Sequence, residues 1–214
     1  MLTILTQNSS IADDFLAELR DVTIQNDRQR FRKNVERIGE ILAYEVSKHL
    51  PRVNKEVQTP LATQQVQVLA EQPVLATVLR AGLAMHQGFL NYFNHADNAY
   101  ISAYRKHTVD NEFKIVVEYL ASPAIQGRTL ILIDPMLATG RSMFLTYKAL
   151  LTKGKPERVF VVSLIGSEQG IAYIQQHMPQ AHIFIGTVDP ALDAHSYIVP
   201  GLGDAGDLSF GEKA

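Results

Sequence analysis

The segment from residue 129 to residue 142 constrains the possible folds of this chain more than any other part of it. Its first five residues, Thr-Leu-Ile-Leu-Ile, are β-branched or aliphatic, which is typical of a strand buried on both faces in a parallel sheet. An acid, Asp134, follows where that strand should end, and a short loop with Thr139 and Gly140 leads to a helical pattern from Ser142. The segment therefore predicts a strand, a loop and a helix in direct succession.

A strand, an acid, a small-residue turn and a helix start together form a candidate phosphate site. Backbone N–H groups at the N-terminus of a helix point toward an anion, and the helix dipole favours its charge. The acid could hold ribose hydroxyls or a metal ion. The loop is not a Walker A loop, which ends in Gly-Lys-Ser/Thr, because its order is Thr139-Gly-Arg-Ser142. From these residues alone, an ordinary strand-to-helix connection with an N-cap at Thr139 or Ser142 remains an alternative.

The rest of the chain alternates between the hydrophobic patterns of strands and of helices. The patterns predict strands at 74–79, 100–104, 113–120, 129–133, 158–165 and 182–188, and helices at 34–50, 83–93, 142–152 and 168–177. Such alternation indicates parallel βαβ units in an open α/β sheet. Ligands of these sheets bind beyond the carboxyl ends of the strands, where Arg80, Asp134 and Asp189 are placed.

Composition excludes several classes of function. The 214 residues are 46% hydrophobic and 20% charged, which is ordinary for one globular domain, and the net charge of −2 gives no broad attraction to nucleic acid or acidic membranes. The absence of cysteine excludes disulfides and thiolate chemistry and fits a reducing compartment. No apolar run approaches the roughly 20 residues of a membrane span, and the first residues do not match a signal peptide. We therefore predict a cytoplasmic protein that binds neither membranes nor nucleic acid.

Three other patterns allow a structural and a functional interpretation. Gly201-Leu-Gly-Asp-Ala-Gly206 matches G-x-G-x-x-G, but only eight residues follow, so we expect tight turns or close approach to a ligand rather than a dinucleotide site. The basic run 27–33 is either a solvated helix start or an interface or phosphate-effector site. Arg80 and Arg105 follow apolar runs and are either surface residues or ligands of a polyphosphate.

The histidines show no metal-ligand spacing, and four of them are predicted at the surface: His95, His107, His177 and His195.

Two of these motifs together resemble the uracil phosphoribosyltransferase family. Asp134-Pro-Met-Leu-Ala-Thr-Gly140 with Ser142 resembles its phosphoribosyl-pyrophosphate loop, and Tyr197-Ile-Val-Pro-Gly-Leu-Gly-Asp-Ala-Gly-Asp207 resembles its uracil-binding tail. Leu79-Arg-Ala-Gly-Leu83 is similar to its pyrophosphate loop, and Tyr104-Arg105 to the start of its hood. The similarity runs in order over nearly the whole chain.

The resemblance implies a fold, a reaction and partners. The fold would be that of type I phosphoribosyltransferases, an α/β fold with an open, mostly parallel sheet flanked by helices. It would form a single domain over 1–214, with a small β hood around 100–125 and a C-terminal tail at 189–214. The reaction would convert uracil and 5-phosphoribosyl 1-pyrophosphate (PRPP) to UMP and pyrophosphate in pyrimidine salvage, with Mg²⁺. Members commonly form homodimers or higher homo-oligomers, and some are activated by GTP, which implies a GTP effector.

The resemblance also implies roles for individual residues. Ala138 to Ser142 would cradle the 5′-phosphate, Asp134 would bind the ribose hydroxyls, and Arg80 with Arg105 would hold pyrophosphate. Asp204 would lie between the base and the Mg²⁺–pyrophosphate side. The metal would be held mainly through PRPP rather than directly by the protein, with Asp204 as the candidate for a contact through water.

The catalytic residues implied are Asp134, Arg105 and Asp204. The backbone of three tail residues would bind uracil: Ile198, Gly203 and Ala205. Backbone N–H donors facing the 4-oxygen would favour uracil over cytosine, whose 4-amino group is itself a donor. The full set of substrate-binding residues implied is Arg80, Arg105, Asp134, Pro135, Met136, Leu137, Ala138, Thr139, Gly140, Arg141, Ser142, Ile198, Gly203, Asp204 and Ala205.

The chain departs from the family pattern at Arg141, which is usually glycine, at Thr77, and at Leu208, which is often basic. An arginine at 141 fits if that residue is helical, whereas a positive φ there would be strained. Two other functions stay open on the same fold. One is a non-catalytic, nucleotide-sensing and RNA-binding regulator, supported by the basic run 28–33. The other is transfer to a purine or to orotate, which the tail disfavours.

Overall fold

The computed structural model describes residues 1–107 and 113–213, and for strand residues 103–107 and 113–118 it describes the backbone only. The strands are β1 (Leu2–Ile4), β2 (Arg52–Gln58), β3 (Thr63–Leu69), β4 (Val74–Leu79), β5 (Asp97–His107), β6 (Phe113–Ala121), β7 (Thr129–Ile133), β8 (Met136–Leu137), β9 (Arg158–Ser167), β10 (His182–Asp189), β11 (Ala191–Leu192) and β12 (Ile198–Val199). The α-helices are α1 (Ile11–Arg20), α2 (Arg28–Ser47), α3 (Leu83–Leu90), α4 (Arg141–Leu150), α5 (Glu168–His177) and α6 (Ala205–Phe210).

The main sheet has the strand order β1-β10-β9-β7-β4-β5-β6, with β8 paired to β9. All of these neighbours are parallel except β5 and β6, which are antiparallel. The predicted open, mostly parallel α/β sheet is therefore confirmed. The predicted hood around 100–125 includes β6 and the end of β5, but residues 108–112 lie outside the part of the chain that is described.

Strand β7 is central in the sheet and is buried on both faces, as its composition predicts. Ile131 and Ile133 contact the core beneath α2 and α3, whereas Leu130 and Leu132 contact the core beneath α4 and α5. Successive side chains of a strand point to opposite faces, so a strand between two helical layers requires apolar residues at every position. This packing fixes Asp134 at the carboxyl end of the strand.

The start of α4 settles the conformation of the predicted phosphate loop. Gly140 is the N-cap residue and has a φ of 74°, while Arg141 is the first residue of the helix. The positive φ therefore falls on glycine, which adopts it without steric cost, and Arg141 is not strained. The alternative interpretation, an N-cap at Thr139 or Ser142, is not what the structure has: Gly140 is the N-cap, and Thr139 Oγ1 accepts only a long contact of 3.4 Å from the Arg141 N–H.

Several elements were not predicted. They are β1, α1, the hairpin of β2 and β3, α6 and the two-residue strands β8, β11 and β12. Helix α2 begins earlier than predicted, because Asp27 caps it by accepting hydrogen bonds from the Gln29 and Arg30 N–H groups. The basic run is thus the first part of a helix, which agrees with the structural interpretation. Among the described residues, no helix is both long and apolar enough to cross a membrane.

Candidate active site

A cleft of about 680 Å³ opens at the carboxyl ends of β4 and β7. Most of its walls come from three segments that are far apart in sequence: the loop from β4 to α3, the loop from β7 to α4, and the C-terminal tail. The first contributes Arg80, the second Asp134 and Thr139, and the third Asp204 and Gly206. The volume is within the range of sites for small ligands.

Asp134 lies in this cleft with a carboxyl group that resists ionisation. The pKa of Asp134 is raised to about 7: desolvation is the main cause, the hydrogen bond of 3.3 Å from the Met136 N–H opposes it in part, and the negative charge of Asp204 adds to it. The two carboxyl groups are therefore close enough to interact electrostatically. A raised pKa in a cleft is typical of a functional acid, and a bound hydroxyl group or cation would further stabilise its charged form.

The loop that precedes α4 is held tightly against α5. Ser167 Oγ donates to the Ala138 carbonyl at 2.6 Å and accepts from the Gly170 N–H at 2.9 Å. A Cβ on Gly140 would lie 2.8 Å from the Gly170 carbonyl oxygen, so only glycine fits there. Thr139, Gly140 and Ser142 line the cleft at the positive end of the α4 dipole. The loop thus presents a rigid backbone at a place that favours an anion.

The tail crosses the cleft and turns into the short helix α6. Asp204 caps α6 by accepting from the Gly206 N–H at 2.8 Å and from the Asp207 N–H at 3.0 Å. Ile198 and Ala205 are buried, and Gly203 lines a neighbouring cavity of about 540 Å³. Whether the backbone of these three residues binds a base stays a prediction.

Asp189, at the end of β10, anchors the tail and does not line the cleft. It accepts hydrogen bonds from Arg20 Nη2 at 2.7 Å, from Arg20 Nη1 at 2.8 Å and from the Gly201 N–H at 2.7 Å. Arg20 Nη1 also donates to the Gly201 carbonyl at 2.9 Å. Desolvation acts to raise the pKa of Asp189, but the hydrogen bonds from Arg20 and Gly201 outweigh it and hold that pKa below its usual value.

Replacing Asp189 with asparagine should destabilise the protein by about 3 kcal/mol, because Arg20 would lose the charge that compensates its burial. The tail should also be held less firmly at Gly201, which would weaken the binding of any ligand there. Urea denaturation measures the stability. The control is Glu157→Gln, which removes an exposed carboxylate 3.2 Å from Arg158 and should cost less than about 1 kcal/mol. Equal losses in the two variants would contradict the anchoring role of Asp189.

Of the two candidate arginines, Arg80 has a side chain that the structure describes in the cleft. Arg80 lines the cleft, and its Nη2 donates to Asp207 Oδ1 and to the Gly211 carbonyl, both at 3.1 Å. The side chain of Arg105 lies outside the described residues, so its predicted role stays a prediction. Met136, Leu137 and Ala138 line the cleft together with the loop residues above, whereas Pro135 and Arg141 do not.

Residues that the sequence did not predict also line the cleft, among them Ser102, His195 and Lys213. His195 was predicted at the surface, and its side chain is indeed 83% exposed, at the rim of the cleft. It stands two residues before the tail motif begins at Tyr197, so its position in the chain was an available signal. Ser102 and Lys213 carry no local pattern, since only the fold brings them to this edge.

Comparison with known proteins identifies the relatives of the chain. The profile of the family described as uracil phosphoribosyltransferase matches residues 6–212. The uracil phosphoribosyltransferase of Porphyromonas gingivalis is 55% identical over 205 residues, which cover 95% of each chain. The uracil phosphoribosyltransferase of Thermococcus gammatolerans is 34% identical over 208 residues, which cover 96% of this chain and 91% of the relative.

Solved structures support the same fold. The AQ2163 protein of Aquifex aeolicus superposes with a TM-score of 0.86 at 28% identity, over 99% of this chain and 98% of that one. A hypoxanthine phosphoribosyltransferase of Staphylococcus aureus superposes with a TM-score of 0.50 at 13% identity, over 91% of this chain and 93% of that one. At that identity the likeness concerns the fold alone, which is that of the type I phosphoribosyltransferases.

Proposed function

The chain belongs to the uracil phosphoribosyltransferase family, and from that premise we propose that it transfers the 5-phosphoribosyl group of PRPP to uracil, forming UMP and pyrophosphate in pyrimidine salvage. One observation supports this proposal above the others. The loop around Thr139 and the tail around Asp204, which are far apart in sequence, line the same cleft. A substrate with a phosphate on one side and a base on the other requires such a pair of walls.

The reaction places few chemical demands on the protein. Substitution at the anomeric carbon of ribose passes through an oxocarbenium-like state, as in glycoside chemistry, and pyrophosphate leaves readily when its charge is held. Catalysis then consists of positioning and electrostatic stabilisation. In this proposal the α4 loop holds the 5′-phosphate, Arg80 and Arg105 hold pyrophosphate, and Asp134 accepts hydrogen bonds from the ribose hydroxyls and stabilises the developing positive charge.

The tail would select the base. Backbone groups of Ile198, Gly203 and Ala205 offer fixed donors and acceptors, and the Arg20–Asp189 pair holds the adjoining turn at Gly201. A site built to donate to the 4-oxygen of uracil rejects cytosine, because a buried donor would then face the 4-amino group of the base. Selection of uracil would thus depend on main-chain geometry rather than on a particular side chain.

The cleft fits a Mg²⁺ ion that is brought in with PRPP. In the described part of the chain, no three His, Cys, Asp or Glu side chains cluster as metal ligands. Asp134 and Asp204 nevertheless place two carboxyl groups in one cleft, and the charge of one disfavours ionisation of the other. Mg²⁺ usually binds through one or two carboxylates, water and substrate phosphates, so Asp204 would hold it through water. When bound, the ion supplies charge neutralisation for the leaving pyrophosphate.

The proposal is tested by incubating the protein with radiolabelled uracil, PRPP and Mg²⁺. Labelled UMP should form, and it should disappear when PRPP is omitted or the metal is chelated. Competition with cytosine, hypoxanthine and orotate distinguishes transfer to uracil from transfer to another base. A folded protein that forms no nucleotide from uracil would contradict the proposal.

The alternative of an RNA-binding regulator has little support in the structure. Its basis was the basic run, three of whose cations bind groups of this chain. Arg30 pairs with Glu18 of α1 at 2.6 Å, Arg32 donates to the Ser209 carbonyl of α6 at 2.7 Å, and Lys33 pairs with Glu36 of the same helix at 3.0 Å. The first two contacts join α2 to its neighbours, and all three reduce the basic surface that the run could offer to RNA.

We further propose that the protein forms a homodimer or a higher oligomer through the hairpin of β2 and β3. The hairpin forms a sheet of its own, separate from the main sheet, and β2 is exposed along its whole length. Side chains on one face alternate with those on the other, so four valines share a face: Val53, Val57, Val66 and Val68. An isolated two-stranded hairpin is marginally stable in water, and a second copy would cover this valine face.

Replacing Val53 with glutamate should shift the assembly toward monomer, because a charge would be buried in the interface. The control is Asn54→Glu, which adds the same charge on the opposite face of the same strand. Analytical ultracentrifugation over a range of concentrations measures the change. A wild-type monomer, or equal effects of the two substitutions, would contradict an interface on the valine face.

We also propose that the protein is activated by GTP, as family membership suggests; an increased rate of UMP formation on addition of GTP is the test. We further propose a cytoplasmic location, which fits the cysteine-free sequence.

A further inference from the structure

An ion pair joins two of the walls of the cleft. Arg80, on the loop after β4, donates from Nη2 to Asp207 Oδ1 at 3.1 Å, and Asp207 lies 127 residues later in α6. The same Nη2 donates to the Gly211 carbonyl at 3.1 Å. The side chains of Arg80 and Asp207 are 38% and 30% exposed, so the pair stands at the edge of the cleft rather than in the core.

Both contacts use the same nitrogen of the guanidinium. Within the part of the chain that the structure describes, Nη2 is the only atom of the Arg80 side chain that forms hydrogen bonds to protein groups. A guanidinium carries five N–H donors in a planar fork, so Nε and Nη1 keep donors for a ligand. Asp207 and Gly211 thus hold the group through one nitrogen, and its remaining donors can bind an anion in the cleft.

The position of Asp207 is itself fixed by a residue of the cleft. Asp204 Oδ1 accepts hydrogen bonds from the N–H groups of Gly206 and Asp207, and the Gly211 N–H donates to the Asp207 carbonyl at 2.9 Å. Asp204 also lies near enough to Asp134 for its charge to raise the pKa of that acid. Helix α6 therefore connects Asp204, the carboxyl group that caps it, to Arg80 on the loop after β4.

We propose that Asp207 is a positioning residue for the transfer reaction, which holds Arg80 in the orientation that binds the pyrophosphate of PRPP. The inference rests on the proposed function. Its physical basis is that an arginine side chain loses rotamer freedom when it binds a ligand, and a contact that orders it beforehand removes that cost from binding. The ion pair also ties the tail to Arg80, so the pyrophosphate wall is complete only when the tail is in place.

A competing role for Asp207 predicts the opposite change in the affinity for pyrophosphate when the carboxylate is removed. If the Asp207 carboxylate only repelled pyrophosphate and kept Arg80 from binding it, removing the carboxylate would strengthen the binding of pyrophosphate. If Asp207 orients Arg80, removing it weakens that binding despite the loss of a negative charge. The direction of the change therefore distinguishes the two roles.

The experiment compares Asp207→Ala, Asp207→Asn and Asp207→Glu with the wild type. Steady-state kinetics with Mg²⁺ gives kcat and the KM values of PRPP and of uracil, and calorimetry gives the Kd of inorganic pyrophosphate with Mg²⁺. We expect the alanine and asparagine variants to raise the PRPP KM and the pyrophosphate Kd by roughly fivefold, the scale of a partly exposed ion pair. The uracil KM at saturating PRPP should change less than about twofold, and the glutamate variant should recover part of the loss.

The matched control is Glu212→Gln, which removes a carboxylate from the same tail at a residue outside the described contacts of Arg80. It should leave the pyrophosphate Kd unchanged, and thermal unfolding verifies that every variant is folded. Unchanged or tighter pyrophosphate binding in Asp207→Ala, or equal rises in both KM values, would overturn the positioning role. A wild-type protein that forms no UMP would instead overturn the proposed function, and the pyrophosphate Kd would still decide the role of Asp207.

Discussion

Replacing Asp134 with asparagine should lower kcat by roughly 10²- to 10³-fold, the range seen when one preorganised electrostatic contact to a transition state is removed. Asparagine keeps the shape of the side chain and the acceptor for the Met136 N–H. It lacks the negative charge that would stabilise an oxocarbenium-like ribose. The KM of PRPP should change much less than kcat, because the phosphate contacts belong to other residues.

The same substitution should stabilise the protein at neutral and alkaline pH. The pKa of Asp134 is about 7 in the folded state against 3.8 as the reference value for the unfolded chain. The unfolded state therefore binds fewer protons between about pH 4 and pH 7, so wild-type stability falls as pH rises through that window. At pH 8 the ionised side chain costs at most about 4 kcal/mol, which asparagine avoids.

Urea denaturation of both proteins at pH 5 and pH 8 measures this effect. The stability advantage of Asp134→Asn should be larger at pH 8, while its activity is strongly reduced at both pH values. A variant that is less active and more stable is typical of a residue kept for function. Near-normal turnover would show that the proposed role of Asp134 is wrong, and a variant that is destabilised equally at both pH values would indicate a structural role.

Replacing Gly140 with alanine should raise the KM of PRPP by at least about tenfold. A Cβ there would lie 2.8 Å from the Gly170 carbonyl oxygen and 3.1 Å from Tyr173 Cδ1, and the φ of 74° disfavours any side chain. The loop would have to move away from α5, and a displacement of about 1 Å at a binding site can cost 10²-fold in rate. Steady-state kinetics with PRPP as the varied substrate measures the change.

Gly127 is the matched control for this substitution. Its φ of 70° is nearly the same, but no atom lies within 4 Å of the position of its Cβ, and it does not line the cleft. Gly127→Ala should therefore cost about 1 kcal/mol of stability through its backbone alone and leave the kinetics unchanged. If both variants affected the KM of PRPP equally, or if neither did, the phosphate loop would not lie at Gly140.

The sequence predicted the parts of this fold in which local pattern and tertiary position agree. A run of five β-branched or aliphatic residues is typical of a strand between two helical layers, so β7 and the position of Asp134 followed directly. The hairpin of β2 and β3 was missed, although Val66 and Val68 carry the alternation of a strand. The surrounding polar residues suit a strand that is exposed on both faces, which a search for core patterns does not detect.

The roles of charged residues were harder to predict, because they depend on partners far away in the chain. Asp189 was a candidate site residue by its place at a strand end, yet its partner is Arg20, 169 residues earlier. The contact between Arg80 and Asp207 likewise spans two segments that only the folded sheet brings together. A sequence pattern shows where a charge stands along the chain, and the fold decides which group neutralises it.

A crystal structure of the protein with bound UMP would show whether the α4 loop and the tail hold one nucleotide between them. We expect the 5′-phosphate to accept hydrogen bonds from backbone N–H groups between Thr139 and Ser142, with the ribose hydroxyls on Asp134. The edge of the uracil ring should contact the main chain of Ile198, Gly203 and Ala205. A nucleotide whose phosphate lies away from the α4 loop, or whose base does not contact the tail, would show that the proposed site is wrong.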